Sequence, residues 1–284
     1  MDETLIGVLH PGEMGVAVGA CLTQRGLAVL WASAGRGPAT AERAAAAGMR
    51  DVGTTSEMSV QAGVILSVCP PHAALEVARS AAGFRGIYVD ANAVSPETAR
   101  EIARVVETQG AAYVDGGIIG APPRSPGDSR LYLSGPRAGE VSELFAGTAL
   151  DARVMGGEPG VASAVKMAYA AWTKGTAALI LAIRALARAE GVEETLLTEW
   201  QQSQPTLTAR SHSAAQSATG KGWRWVAEME EIAATMAAAG LPPGFHQAAA
   251  AIYSRVPRAT SPPPPNELSL KTVIDALLAE QPVR

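Results

Sequence analysis

Short apolar runs rich in β-branched residues alternate with alanine-rich stretches along the first half of the chain. Glycine, proline or polar residues bound each run, which is typical of buried strands linked by helices. Such alternation predicts an open, doubly wound, mostly parallel α/β sheet with helices on both faces and a ligand at the carboxyl ends of its strands. The predicted strands cover residues 4–9, 28–31, 64–68, 87–90, 112–115, 130–134 and 152–154.

The second half of the chain shows helical spacing only. Its longest apolar pattern runs from Val161 to Glu190 and ends at Gly191. At 1.5 Å per residue this helix is on the order of 45 Å long, so it can join two domains and present a surface to a second subunit, and we expect a homodimer. Further helices are predicted at residues 206–217, 223–239, 244–255 and 267–280, the last with an extended spacer at prolines 262–265 and Asn266 as its N-cap.

The two patterns divide the chain into an α/β domain at residues 1–157 and an all-α domain at residues 158–284, joined by the long helix. A chain of 284 residues, 48% of them apolar, is large enough for two such cores. Its 23 basic and 27 acidic residues nearly balance, and it has no basic stripe with interleaved aromatic residues, which argues against nucleic acid or an anionic membrane as a partner. A small molecule fits this composition better.

The sequence also differs from those of secreted and membrane proteins. It starts without the basic segment and long apolar run of a secretory signal. Its longest apolar run, residues 177–183, is far shorter than the roughly 20 residues that cross a bilayer. Cys21 and Cys69 match neither a disulfide framework nor a zinc site. We therefore expect a cytoplasmic protein with two reduced, buried cysteines.

A glycine-rich motif lies where the first strand passes into the first helix, which is the place of a dinucleotide fingerprint. Gly12 lets the backbone approach a pyrophosphate, Gly15 lets the helix pack on the strand, and the free N–H groups of the helix start bind the anion. A histidine and a proline replace the first glycine, so we expect other residues to make the tight turn and His10 to be structural or a neighbour of the phosphates. A turn without ligand is the alternative. The motif reads His10-Pro11-Gly12-Glu13-Met14-Gly15.

The end of the second predicted strand bears on the choice of coenzyme. Enzymes that select NAD carry Asp or Glu about 20 residues after the fingerprint, where it binds the ribose hydroxyls. Residues 30–38 contain no acid, and they offer instead the hydroxyl of Ser33 and the guanidinium of Arg36, which suit a 2′-phosphate. This favours NADP(H), with a solvated loop charge as the alternative for Arg36.

Several motifs in a fixed order give the chain a resemblance to a known superfamily. The chain resembles the β-hydroxyacid dehydrogenases, which include 3-hydroxyisobutyrate dehydrogenase, 6-phosphogluconate dehydrogenase and the imine reductases. It looks most like the branch that joins a 6-phosphogluconate dehydrogenase-type NAD-binding domain to a distinct C-terminal helical domain. The resemblance covers nearly the whole chain and implies a Rossmann domain, a nicotinamide cofactor and hydride transfer. It rests on residues 10–15, 68–71, 89–96, 115–120, 160–167 and 222–231.

The resemblance assigns the chemistry to Lys166, whose counterpart lies beside the reacting carbon and acts as acid, base or electrostatic polariser. Hydride added to a carbonyl creates an alkoxide, which a nearby ammonium stabilises and protonates. Without the resemblance, a lone lysine on an alanine-rich helix is usually a solvated side chain. The resemblance also places Cys69, Pro70 and Asn92 near the nicotinamide, and a turn-forming role is the alternative for Asn92.

Other positions describe the substrate pocket. Helical spacing places Tyr169, Ala170 and Thr173 on the face of Lys166, with Lys174 about 80° around, and helix packing is the alternative for all four.

Hydroxyacid members have a serine–glycine pair where this chain has Ile118-Ile119-Gly120, and an asparagine where it has Ala170. Since both anchors for a substrate carboxylate are missing, we expect a larger, less polar substrate and neither a small hydroxyacid nor 6-phosphogluconate.

Trp223, Glu228 and Glu231 lie on a helix that faces the cleft in relatives. We expect Trp223 in the core and both glutamates on a solvated face, and we keep Trp223 and Glu231 as candidate pocket residues.

Three functions remain open at this point. The first is hydride transfer between NADP(H) and a C–OH or C=O carbon, with Lys166 handling the proton. The second is reduction of a C=N bond, against which the repulsion between Lys166 and an iminium substrate argues. The third is a dinucleotide-binding sensor or assembly protein without turnover, which the histidine in the fingerprint and the missing carboxylate anchors make conceivable.

Overall fold

The computed structural model of the chain describes residues 4–259 and 266–279. Its first part contains one eight-stranded sheet in the order β3-β2-β1-β4-β5-β6-β7-β8. All neighbouring strands are parallel except β6 and β7, which are antiparallel. The strands are β1 Ile6–Leu9, β2 Val29–Trp31, β3 Arg50–Asp51, β4 Val64–Ser67, β5 Ile87–Asp90, β6 Ala112–Gly120, β7 Ser129–Ser134 and β8 Leu150–Val154. The predicted doubly wound, mostly parallel sheet is confirmed.

Six helices connect these strands, and five more follow the sheet. The first six are α1 Glu13–Gln24, α2 Pro38–Ala46, α3 Thr55–Gln61, α4 Ala74–Ser80, α5 Pro96–Thr108 and α6 Ala138–Glu143. The remaining five are α7 Val161–Ala189, α8 Glu193–Ser203, α9 Leu207–Ala238, α10 Gly244–Arg255 and α11 Asn266–Leu278. The prolines 262–265 and the predicted end of the last helix at Glu280 lie outside the described residues.

Strands β1, β2, β4 and β5 are buried on both faces, which explains their continuous apolar character. Side chains alternate between two core clusters along each strand: Val64 and Leu66 belong to one cluster and Ile65 to the other. Helix α1 packs on the first cluster through Val18 and Leu22.

By its internal contacts the chain divides into two compact units, Met1–Met167 and Ala168–Arg284. The division falls inside α7, whereas the sequence pattern placed a boundary at the start of this helix. The first turns of α7 belong to the first unit because they are bonded to β6 and β7, as described below.

Four elements differ from the sequence prediction, and one of them is β6, which continues to Gly120 and was expected to end at Asp115. Strand β3 was missed because it has only two residues, both of them polar and exposed. Helix α8 was also missed; its first residue, Glu193, accepts hydrogen bonds from Arg184 and Arg188. The predicted break between residues 217 and 223 is wrong, because α9 runs through both glycines there.

Packing explains the continuity of α9. Glycine destabilises a helix interior by about 1 kcal/mol relative to alanine, which tertiary contacts readily offset. Gly222 is buried, and a Cβ there would lie 3.6 Å from the Tyr253 ring on α10. This is an ordinary van der Waals distance, so the packing of α10 on α9 stabilises the helix here without requiring a glycine.

Among the described residues, only α7 is long and apolar enough to span a membrane by length and composition, and 44% of its most apolar window is buried. The core helix of a soluble protein meets the same criteria, so this is weak evidence for a membrane span.

Candidate functional site

One row of paired residues crosses the sheet at its carboxyl edge. Leu9 pairs with Ser67, Ser67 with Asp90, and Asp90 with Asp115. The chain leaves β1, β4 and β5 directly after this row, whereas β6 continues through the motif at residues 115–120. Parallel strands therefore bring His10, Cys69, Asn92 and Gly117 to one edge, where doubly wound sheets bind their ligands.

The turn after β1 has the geometry of an anion site. Gly12 is the N-cap of α1, and no side chain caps the helix there. The first N–H groups of an α-helix have no partner within the helix, so they suit an anionic ligand. A Cβ at Gly12 would meet nothing nearer than the His10 carbonyl oxygen at 4.0 Å, which leaves the turn open. A Cβ at Gly15 would lie 2.8 Å from the same oxygen, so this glycine is needed for helix packing. The turn fits a pyrophosphate.

The residue at the first position of the fingerprint differs from the prediction that other residues make the tight turn. His10 itself makes the tight turn, with a φ of 63°, and no other non-glycine among the described residues has a positive φ. The left-handed conformation costs roughly 1–2 kcal/mol for an ordinary residue, which is why glycine usually occupies this position. Pro11 is buried behind the turn, Glu13 is exposed in the first turn of α1, and Met14 packs against the core.

The side chain of His10 points to the loop after β2. Its Nε2 is hydrogen-bonded to Arg36 Nη2. Burial, and next the charge of Arg36, lower the pKa of His10 to about 4, so the imidazole is neutral at physiological pH. A guanidinium has only donors, so Nε2 is the acceptor and Nδ1 carries the proton.

A carboxylate that the sequence analysis missed lies beside the loop after β2. Asp51, the last residue of β3, accepts hydrogen bonds from Ser33 N at 3.2 Å and from Gly53 N at 2.9 Å. The Gly53 bond, followed by those of Ser33, holds the pKa of Asp51 below its usual range. An acid is therefore present beside Ser33, contributed by β3, whose two polar residues gave no strand signal.

A buried polar network lies beneath the loops that follow β4 and β5. Asn92 Oδ1 accepts from Cys69 N at 2.6 Å, and its Nδ2 donates to Ser67 Oγ at 3.0 Å and to Asp90 Oδ1. The asparagine thus fixes the start of the Cys69–Pro70 loop. Burial, and next the charge of Asp90, raise the pKa of the Cys69 thiol to about 12, so this cysteine is not a thiolate nucleophile.

Asp90 and Asp115 are paired in register, and both are buried. Burial, and next the charge of Asp115, raise the pKa of Asp90 to about 7. Tyr113 donates to Asp90 Oδ2 at 3.4 Å.

Asp115 holds the start of α7. Its Oδ2 accepts from Gly160 N at 2.8 Å, from Ser163 N at 3.0 Å and from Ser134 Oγ at 3.0 Å, while Oδ1 accepts from Ser163 Oγ at 2.6 Å. A carboxylate bound to the first N–H groups of a helix is stabilised by the helix dipole. This contact links α7 to β6 and β7 at the same edge of the sheet.

Lys166 is half-buried in the second turn of α7, directly against β6. A Cβ at Gly117 would lie 3.0 Å from Lys166 Cβ and 2.8 Å from the Ala162 carbonyl oxygen. Gly117 therefore allows the helix to approach the strand, and Lys166 lies at the edge that carries the nucleotide motifs. Sequence reasoning singled out Lys166 but missed Asp115, Ser163 and Gly117, although an acid at a strand end before two glycines was a readable signal.

The predicted pocket residues of β6 are part of the packed sheet. Ile118 and Ile119 are buried, and Ile118 lies within a core cluster. On α7, Ala170 is buried and Tyr169 is exposed, while Thr173 donates to the Tyr169 carbonyl oxygen at 3.1 Å. Glu231, on α9, is half-buried.

In the helical unit, Lys174 forms an ion pair with Glu228, and Tyr253 donates to the Lys174 carbonyl oxygen at 2.6 Å. The expectation of a solvated Glu228 is therefore wrong. Trp223 was expected in the core and is half-exposed; Arg258 lies 4.1 Å and Arg224 4.9 Å from its ring centroid.

The helical unit also has an apolar groove of about 620 Å³, lined by α7, α8 and α9. Its α7 wall includes Trp172, Thr176, Leu179 and Ile183. With Leu186 these residues form a stripe whose spacing alternates between four and three, and Trp172, Leu179 and Leu186 are 66%, 41% and 60% exposed.

The comparisons with known proteins agree with this geometry. Residues 5–138 match the family model described as the NAD binding domain of 6-phosphogluconate dehydrogenase, and residues 187–256 match a domain of unknown function. A curated protein of Methanothermus fervidus, described as an uncharacterized 28.5 kDa protein in the 7S RNA 5′ region, is 31% identical over 135 residues. That match covers 47% of this chain and 51% of the relative, about half of its length.

Solved structures cover nearly the whole chain. A conserved protein of unknown function, described as structurally similar to 3-hydroxyacid dehydrogenases, is 30% identical with a TM-score of 0.63, over 96% of this chain and 98% of that chain.

Two further structures show the same fold alone. They are 3-hydroxyisobutyrate dehydrogenase of Mycobacterium tuberculosis (20% identity, TM-score 0.67, 97% and 99% covered) and a reductive aminase of Aspergillus terreus in complex with NADPH and ethyl levulinate (21%, 0.56, 96% and 99%). From these matches, the chain belongs to the superfamily that carries the 6-phosphogluconate dehydrogenase-type NAD-binding domain and includes the 3-hydroxyacid dehydrogenases.

Proposed function

We propose that this protein is an NADP(H)-dependent oxidoreductase that transfers hydride between the nicotinamide and a C–OH or C=O carbon of a small, relatively apolar substrate. One observation carries the proposal. Lys166 is pressed against Gly117 at the sheet edge from which the fingerprint turn and the loops after β4 and β5 also leave. This position supports a proton donor beside a dinucleotide site.

Residues of the first unit would hold the cofactor. The open turn at Pro11, Gly12, Glu13 and Met14 would bind the pyrophosphate at the start of α1. Ser33 and Arg36 would meet the 2′-phosphate, as their position after β2 supports. Cys69 and Pro70, in the loop that Asn92 fixes, would face the nicotinamide side. When bound, the nicotinamide supplies or accepts the hydride.

Lys166 would handle the proton. In the reducing direction, hydride arrives at the carbonyl carbon, the C=O π electrons move to oxygen, and Lys166 Nζ stabilises that charge and donates a proton to give the alcohol. In the oxidising direction the neutral amine accepts the hydroxyl proton. Asp115 would serve this step by fixing the first turn of α7, and Gly117 by letting Lys166 approach β6.

The resemblance places the anchors for a substrate carboxylate at positions where this chain has apolar side chains, which favours a less polar substrate. Isoleucines occupy positions 118 and 119, and alanine occupies position 170, where a carboxylate would need polar groups. Nonpolar ketones, aldehydes and secondary alcohols are therefore the first compounds to test.

The test combines coenzyme binding with turnover. Titration calorimetry with NADPH and NADH measures the two dissociation constants, and a carbonyl and alcohol screen then follows NADPH absorbance. Lys166→Ala should lower kcat by about 10²–10⁴-fold and leave the NADPH dissociation constant within about threefold. Lys221→Ala, which removes an exposed lysine of α9, is the matched control and should match the wild type.

Other outcomes select the alternatives. Turnover of cyclic imines but not of carbonyl compounds would favour a C=N reductase, for which the shared fold of the reductive aminase is the supporting observation. Tight NADPH binding without turnover of either class would favour a sensor or assembly protein. Undetectable binding of both coenzymes would exclude all three functions.

We also propose a cytoplasmic homodimer that associates through α7. The stripe at Trp172, Thr176, Leu179, Ile183 and Leu186 has the alternating spacing of a helix–helix seam. Large apolar side chains exposed in one line along a helix are typical of an interface. A second copy presents an identical stripe, which suits a twofold contact.

A further inference from the structure

The histidine in the fingerprint turn is conformationally unfavourable where it stands. His10 has a φ of 63°, a value that glycine adopts without cost. Its carbonyl oxygen accepts from Gly12 N at 2.6 Å, so the left-handed turn is closed by a backbone bond that needs no side chain. The turn alone therefore gives no reason for an imidazole at this position.

The contact with Arg36 supplies a reason. Arg36 is exposed in the loop after β2, with Arg36 N bonded to the Ser33 carbonyl oxygen at 2.9 Å. A long exposed side chain samples many rotamers, and an acceptor at a fixed place selects one of them. His10 Nε2 is such an acceptor, because the ring is neutral and half-buried in a turn of fixed geometry.

A negatively charged side chain, that of Asp51 on β3, lies beside the same loop. Asp51 is bonded to Ser33 N and Gly53 N, and its carboxylate would repel a 2′-phosphate in this corner. The acid alone would favour a coenzyme with a free 2′-hydroxyl. Selection of the phosphorylated form then depends on keeping the guanidinium in place.

We propose that His10 is a positioning residue that holds Arg36 for the 2′-phosphate, so that the fingerprint turn contributes to coenzyme selection as well as to pyrophosphate binding. This inference rests on the dinucleotide site of the proposed function and not on its chemistry. It explains the histidine by a neighbouring loop, and it places the selectivity in a contact between two loops of the first unit.

The test compares ligands that differ only at the 2′-position. Adenosine 2′,5′-bisphosphate and 5′-AMP are titrated by calorimetry against the wild type, His10→Gly, Arg36→Ala and the double variant. His10→Gly removes the acceptor and relaxes the backbone, so the bisphosphate should bind about tenfold or more weakly while 5′-AMP binding stays within about twofold. Arg36→Ala should give a similar loss, and the double variant should add little to it.

A conservative variant distinguishes the loss of the hydrogen-bond acceptor from a change in the conformation of the turn. His10→Gln retains an acceptor at a similar reach, and it should recover part of the selectivity although glutamine fits a positive φ less well. Thermal unfolding of each variant monitors the fold, and His10→Gly should unfold at or above the wild-type temperature.

The inference fails if His10→Gly weakens both ligands equally, or if it leaves bisphosphate binding unchanged while Arg36→Ala weakens it. It also fails if the wild type binds the two ligands equally or binds neither. Selective loss in a protein without turnover would support the inference and refute the oxidoreductase, whereas Lys166-dependent turnover with no effect of His10→Gly would do the reverse.

Discussion

The start of α7 and its later turns are held by different contacts. The start, up to Met167, is bonded to the buried Asp115 carboxylate and pressed against Gly117. The later turns carry Trp172, Leu179 and Leu186 on an exposed apolar stripe. Directional hydrogen bonds fix one arrangement, whereas apolar contact is non-directional and scales with buried area. The helix thus has a part built for exact placement of a lysine and a part suited to association.

The largest expected effect concerns the polar contact. Asp115→Ala leaves the N–H groups of Gly160 and Ser163 without their acceptor, and we expect the free energy of unfolding to fall by roughly 3–5 kcal/mol. Urea denaturation followed by circular dichroism measures this change. Asp151→Ala, which removes an exposed ion pair with Arg153, should cost less than about 1 kcal/mol. Equal losses in the two variants would contradict the role given to Asp115.

The neighbouring carboxyl adds a pH dependence to the same region. The pKa of Asp90 is raised to about 7, so between about pH 4 and 7 the folded state holds a proton that the unfolded state releases. Stability therefore falls as pH rises through this window, by up to roughly 1.4 kcal/mol per unit from this group, and is flat above it. Urea denaturation from pH 5 to 8 should show a steeper decline for the wild type than for Asp90→Asn. An equal decline in stability for the wild type and Asp90→Asn would contradict the raised pKa of Asp90.

A backbone contact gives the next effect. Gly117→Ala places a methyl group 2.8 Å from the Ala162 carbonyl oxygen, so α7 must move away from β6. We expect a loss of about 1–3 kcal/mol in stability and, from the displaced Lys166, a fall of about tenfold or more in kcat. Urea denaturation measures the loss of stability, and steady-state kinetics measure the fall in kcat. Gly156→Ala, which meets nothing within 4 Å, is the control and should change neither.

The apolar stripe gives the smallest effect, on association. Leu186→Glu should weaken the proposed dimer by about tenfold or more, because it places a charge where the second copy would cover an exposed leucine. Sedimentation velocity over a range of protein concentrations measures the shift. Val60→Glu alters another exposed apolar side chain, 87% accessible on α3, and should leave the association unchanged. A wild type that stays monomeric at every concentration would refute the proposed dimer.

The sheet and most of the helices were predictable because their apolar periodicity is local. The candidate site was predictable only in part. Lys166 and the fingerprint turn carried motif signals, whereas Asp51 comes from a two-residue strand with no apolar pattern. Glu228 looked like a solvated acid because its partner, Lys174, is far away in sequence. The conformation of His10 was unexpected because a histidine rarely adopts a positive φ, so the tight turn was assigned to other residues.

The row formed by Leu9, Ser67, Asp90 and Asp115 has a consequence for engineering. The loops after β1, β4 and β5 begin just beyond this row, whereas β6 continues to Gly120. Segments that take no part in the Asn92 contacts, such as residues 71–73, can therefore be lengthened, shortened or exchanged with those of relatives without altering any strand register. Libraries that vary these loops would explore substrate range on a constant sheet, with Asp115 and Gly117 left untouched to keep the lysine in place.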